Sequence, residues 1–121
     1  MSEQEIQNQE EKNPTIQFDD FLKVHLRVGK VLSAEPVEGS PKLLKLSVSF
    51  GEEAPRQVLS GIAKSFSPDQ IVGNSYVFVT NLEPRRILGM ESQAMILASS
   101  DEQGLVLFSP TRDIKDGSQL G

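Results

Sequence analysis

The sequence predicts an all-β domain, and three observations predict it. Apolar and polar residues alternate in one segment after another, the period of a strand with one wet face. Glycines at 39, 51, 73, 89 and 104 punctuate those segments. One short stretch, between the third and fourth segments, carries helix signals at both ends instead.

Residues 1–14, "MSEQEIQNQEEKNP", are rich in Glu, Gln and Asn and hold too little apolar surface to offset the entropy of ordering. A disordered acidic tail is expected there, with the folded domain over 15–121. "DDFLK" reads as one helical turn capped by Asp19 or Asp20. Val24, Leu26 and Val28 then alternate with His25 and Arg27, opening a long first strand in which Gly29 predicts a bulge or sharp bend. "EGSPK" is a turn by composition. In "KLLKLSVSF", Leu44, Leu46, Val48 and Phe50 share one face, and Lys45, Ser47 and Ser49 the other. "GEEAP" turns the chain and "RQVLSGIA" is a third strand. "SFSPDQIVG" has Ser67 as N-cap, Pro68 at the first helical position, Asp69 in the first turn and Gly73 as terminator. "SYVFVTNL" and "SQAMILASS" are the fourth and fifth strands, and "GLVLFSP" an extra C-terminal one. Three strands, a short helix and two strands is the order of the OB-fold, a five-stranded, partly open Greek-key barrel. A small β-sandwich would accommodate the strands but has no natural place for the helix.

At 121 residues the chain has room for one core. Its 37% hydrophobic and 24% charged content is ordinary for a soluble domain. No apolar run approaches the ~20 residues that span a bilayer, and the polar N-terminus lacks a signal peptide's basic and apolar regions. A cytoplasmic protein without membrane contact is expected. The absence of cysteine excludes disulfides, thiolate metal sites and a cysteine nucleophile. His25 is the sole histidine and has no nucleophile motif beside it, while Glu52–Glu53 and Asp101–Glu102 fall in turn-like segments. No catalysis, metal or cofactor is expected.

A net charge of −5 argues against nucleic acid until it is located. Residues 1–20 carry six acids against Lys12, and the remainder balances eleven cations with eleven anions. A neutral body can still present a basic face. On an OB-fold, Arg85 and Arg86 fall in the loop between strands four and five. With the loop between strands one and two ("EPVEGSPK") and the faces of strands two and three, that loop forms the oligonucleotide-binding surface of such barrels. Lys42 ends the first of these loops, Lys45 projects from the wet face of strand two, Arg56 starts strand three and Lys64 follows it. Arginine can hold a phosphate by two donors and stack on a base. The plain alternative is solvated surface charge, neutralised by Glu83 and Glu91. Met95 reads either as a core or rim residue or as an adaptable contact. The lack of Trp and the scarcity of aromatic residues disfavour serial base stacking.

The segments "LRVGKV", "PKLLKL", "SGIAK", "NLEPRR" and the Gly89–Ser92–Met95 pattern resemble, in order, the motifs of the tRNA-binding domain family. That OB-fold module occurs at the C-terminus of methionyl-tRNA synthetases, as a free-standing protein and in the EMAP-II precursor. The similarity runs over about residues 16–121. It implies structure-selective, largely sequence-independent tRNA binding, usually by a homodimer formed outside the barrel, with methionyl-tRNA synthetase a possible partner. It also implies tRNA contacts for Asn81, Arg85, Arg86, Ser92 and Met95. Four positions depart from the family pattern: His25 for Asp, Pro41 for Asp, Arg86 for Lys and Ala94 for Gly. A related branch, dimeric secretion chaperones that bind unfolded peptides, is the alternative. Dimerisation is expected through 105–121, where Leu105, Val106, Leu107 and Phe108 are more apolar than a turn requires. The Met1 start with a polar leader is read as favouring a free-standing protein.

Overall fold

The first strand, β1 (Leu26–Val37), is long enough to serve two neighbours in turn. Its first part, Leu26 to Lys30, pairs with β4 (Ser75–Val79), and the part from Lys30 onward pairs with β2 (Ser40–Ser49). Between Val31 and Ser33 the register slips by one, leaving Leu32 as a bulge. The irregularity expected at Gly29 therefore lies at Leu32. Gly29 permits a close approach instead: a Cβ there would lie 2.6 Å from Val48 Cγ1 and 2.5 Å from Phe50 Cε1.

The computed structural model describes residues 14–121, and apart from Pro14 the expected acidic tail lies outside them. Helix α1 (Phe18–Leu22) is the turn expected at "DDFLK", but its cap is Gln17. Asp20 serves from within, its Oδ2 accepting from the Gln17 N–H at 3.2 Å. Helix α2 (Pro68–Ile71) has the expected Ser67 cap, and the Gln70 side chain closes a capping box by accepting from the Ser67 N–H at 2.8 Å.

Strand β3 (Arg56–Ser60) pairs with β2, and α2 then carries the chain across so that β4 lies on the far side of β1. This Greek-key path ends in β7 (Met95–Ile96), giving one antiparallel sheet in the order β3-β2-β1-β4-β7. Two small hairpins flank β7: β5 (Arg85–Ile87) with β6 (Met90–Ser92), and β8 (Ala98–Asp101) with β9 (Gly104–Leu107). The fifth segment of the sequence is thus divided among the end of β6, β7 and β8. Its extra C-terminal partner, β9, pairs with β8.

The alternating faces decide what is buried. Leu44, Leu46, Val48 and Phe50 all enter the core, joined by Val31, Val58, Ile71 and Phe78. Phe50 meets Phe78 edge to face, with centroids 5.2 Å apart. The sheet curls until β3 reaches the segment joining β6 to β7. There the Gln93 N–H donates to the Gln57 carbonyl at 2.8 Å, and the Gln93 side chain accepts from the Gln57 N–H at 2.9 Å. The edge of β1 that β2 leaves is taken by residues 117–120. Val28 N–H donates to Ser118 O, Gly117 N–H to Val28 O, and Leu120 N–H to Leu26 O.

Candidate nucleic-acid interface

The connection from strand four to strand five is not a loop, as the sequence suggested, but the β5–β6 hairpin. Ile87 pairs with Met90, so Leu88 and Gly89 are the two turn residues, at φ 51° and 78°. Two positive φ values define a type I′ turn, whose twist matches that of the strands it joins. Arg85 pairs with Ser92 and Arg86 with Glu91 across this hairpin. Both arginines are exposed. The Arg86 guanidinium donates to the Gly89 carbonyl at 3.0 Å, bracing the turn. Neither arginine is ion-paired with Glu83 or Glu91, although Glu91 lies opposite Arg86: among the described residues the ion pairs are Lys23–Asp20, Arg27–Glu52, Lys45–Glu35 and Arg56–Glu52.

The other expected cations divide by what they touch. Lys42 and Lys64 are exposed and outside those ion pairs; the chain at Lys64 is held beside Lys42 because the Ala63 N–H donates to the Lys42 carbonyl at 3.0 Å. Lys42 lies in β2 rather than in a loop, since strands one and two join through Glu38 and Gly39 alone. Lys45 sits opposite Glu35 on β1 and pairs with it at 2.8 Å.

Arg56 faces inward on a network of its own. Its Nε and Nη2 donate to the two carboxylate oxygens of Glu52, each at 2.8 Å. Its Nη1 donates to the carbonyls of Thr80, at 2.6 Å, and Gln93, at 3.2 Å, and its guanidinium lies over the Phe50 ring. The hydrogen bond from Arg56 lowers the Glu52 pKa, with smaller coulombic help from Arg56 and Arg27 against the cost of desolvation. The same bond raises the pKa of Arg56.

Asn81 and Ser92 are likewise engaged within the chain. Asn81 Oδ1 accepts from the His25 N–H at 2.8 Å, and its Nδ2 donates to the Lys23 carbonyl at 2.6 Å. That junction uses the backbone of position 25, so it is indifferent to His in place of Asp. Ser92 is 8% exposed; its Oγ accepts from the Leu59 N–H at 3.0 Å and donates to the Ala94 carbonyl at 3.1 Å. Ala94 is buried and has no positive φ, so no glycine is required there.

Met95, 44% exposed, lines a groove of about 120 Å³ with Leu59, Leu82, Ile87 and Ala94; Arg85, Glu83 and Ser92 are its polar members. Arg85 and the lysine pair thus flank the C-terminal end of β3. Sequence reading missed the groove and Leu88, which holds a left-handed conformation while 61% exposed at the hairpin tip. The spacing "RILGM" carries the hairpin, but Asn-Gly or Asp-Gly is the usual signal.

Comparison with known proteins agrees with this architecture. The family described as "Putative tRNA binding domain" matches residues 26–119. The methionine–tRNA ligase of Caldanaerobacter subterraneus subsp. tengcongensis is 44% identical over 114 residues, which is 94% of this chain and 18% of that ligase. The chain therefore spans less than a fifth of the curated relatives it matches. A methionyl-tRNA-synthetase-related protein from Pyrococcus horikoshii superposes with a TM-score of 0.82 at 33% identity, over 88% of this chain and 98% of that one. The chaperone CsaA of Bacillus anthracis superposes with 0.79 at 29% identity, over 88% of this chain and 99% of that one. By its sequence and by its five-stranded, helix-interrupted barrel, the chain belongs to the tRNA binding domain family.

Proposed function

We propose that this domain is a non-catalytic tRNA-binding module that grips phosphates through Arg85 and Arg86. The observation that carries this reading is their adjacency on an exposed hairpin, with neither in an ion pair with a carboxylate among the described residues. Lys42 and Lys64 extend the basic surface, and Lys45 contributes less because Glu35 offsets it. Asn81, Arg56 and Ser92 serve by holding the hairpin and its neighbours in place; Met95 contacts the ligand directly. Recognition through phosphates and shape does not read base sequence. The domain acts in the cytoplasm, alone or as an accessory to methionyl-tRNA synthetase.

A homodimer fits the exposed apolar residues in and just after the C-terminal strand. Leu105 and Leu107 pack on the barrel, whereas Val106 and Phe108 are 54% and 46% exposed. Sedimentation at micromolar concentration tests this, with a dimer mass expected and a monomer mass refuting it.

Equilibrium binding to bulk tRNA across a salt series tests the main reading. Each phosphate contact adds roughly one unit to the log–log salt slope. The Arg85→Ala/Arg86→Ala double variant is expected to lose affinity and about two units of slope. A wild type that ignores tRNA at low salt would overturn it. Unfolded peptides, bound with little salt dependence, would then support the chaperone alternative that the likeness to CsaA raises.

A further inference from the structure

The groove beside Arg85 has no part in a grip made by phosphate contacts alone. We infer that it is a slot for one unpaired base of the bound RNA, whose flanking phosphate Arg85 takes; this rests on the RNA-binding reading above. At about 120 Å³ it is about the size of one base and too small for a stacked base pair. Its walls are Leu59, Leu82, Ile87, Ala94 and Met95, with Leu82 50% and Met95 44% exposed, so apolar surface lies open to solvent beside an unpaired guanidinium. A splayed-out nucleotide combines those two properties: a flat ring with apolar faces, and an anion attached to it. The Met95 thioether is flexible and polarisable enough to lie against such a ring.

The slot's polar groups further restrict what enters. Ser92 Oγ has its one proton on the Ala94 carbonyl and accepts from the Leu59 N–H, so it offers no donor to a base edge. Glu83 remains as an acceptor. Adenine, cytosine and guanine each offer an exocyclic amine from which a carboxylate can accept, whereas uracil's one base donor, N3–H, lies between two carbonyl oxygens that a carboxylate repels. The slot therefore admits bases by shape and ranks uracil last. An apolar peptide side chain could also fill it, but would leave Arg85 and Arg86 unanswered.

The test uses the full chain and a Leu82→Ala/Met95→Ala double variant, whose exposed positions keep the core intact. Bulk tRNA, short oligoadenylate, oligouridylate and a fully paired RNA duplex are titrated across salt. The double variant is expected to bind tRNA about tenfold more weakly with an unchanged salt slope, and to bind the duplex as wild type does. Wild type is expected to prefer oligoadenylate over oligouridylate, and Glu83→Gln to narrow that preference. If the double variant binds tRNA as well as wild type while the arginine variant does not, the slot is refuted and the phosphate grip stands. A wild type that binds no RNA removes both. If an unfolded peptide binds wild type and is lost in the double variant while tRNA affinity persists, the groove is a peptide site and the inference fails.

Discussion

Arg56 and Glu52, four residues apart across the β2–β3 turn, share a two-point ion pair with both N–O distances at 2.8 Å. The same guanidinium reaches two backbone carbonyls beyond its own hairpin, Thr80 after β4 and Gln93 before β7. One side chain thus ties three parts of the barrel at the seam. Arg56→Ala leaves those acceptors without their donor and should cost about 2 kcal/mol of stability, read by denaturant unfolding. The tRNA salt slope should not change; a loss of one unit would instead make Arg56 a phosphate contact.

Acid should act on the same pair. Glu52 titrates below its ordinary value, first because it accepts from Arg56. Its contribution is therefore whole above the unfolded carboxylate value of about 4.3 and is lost as pH falls through the lower folded value. The pair is about a third exposed, so screening limits its worth to roughly 0.5–1 kcal/mol. The stability gap between wild type and Glu52→Gln should be constant above about pH 5 and close on acidification. A gap that widens on acidification would contradict this assignment.

Ser92 is expected to matter chiefly through Leu59. Ser92→Ala strands a buried backbone N–H and should destabilise the domain by about 1–3 kcal/mol, measured by chemical denaturation. Once folded, the variant should keep the wild-type salt slope. Normal stability with weakened tRNA binding would mean that the hydroxyl contacts RNA itself.

Leu88 carries strain that an exposed turn does not need. Asparagine tolerates the left-handed region, and Asn-Gly is the favoured pair for this turn. Leu88→Asn should therefore stabilise the domain by about 0.5–1 kcal/mol, seen as a Tm rise of a few degrees. A fall in Tm would show that the leucine side chain repays its backbone cost by packing.

The strands facing the core were legible because burial repeats every second residue: Leu44, Leu46, Val48 and Phe50 enter the core as their spacing requires. Helix α2 was legible because Ser67, Pro68 and Gly73 act locally. The site was less so. Arg56 read as a free cation because two of its partners, Thr80 and Gln93, lie 24 and 37 residues away. Lys45 lost some of its apparent freedom to Glu35, a partner set by cross-strand register. The arginine hairpin read as a loop because Leu88 occupies a position where Asn or Asp would have announced the turn. The adjacency of Arg85 and Arg86 needed no fold to be seen.

Gly117 sits at φ 84°, where an added Cβ would collide with the Phe50 carbonyl oxygen, so residues 117–120 lie on β1 in a fit that only glycine permits. That fit has a consequence in time. Leu26 and Val28 are made long before their partners at 117–120, which emerge only after nearly the whole domain has been synthesised. Until then the outer edge of β1 is an unpaired template at which a neighbouring nascent chain can add a strand. Contacts so distant in sequence also slow the search for the native state. The domain's exposure to misassembly is therefore greatest just before its synthesis ends, and docking of this single segment closes that interval.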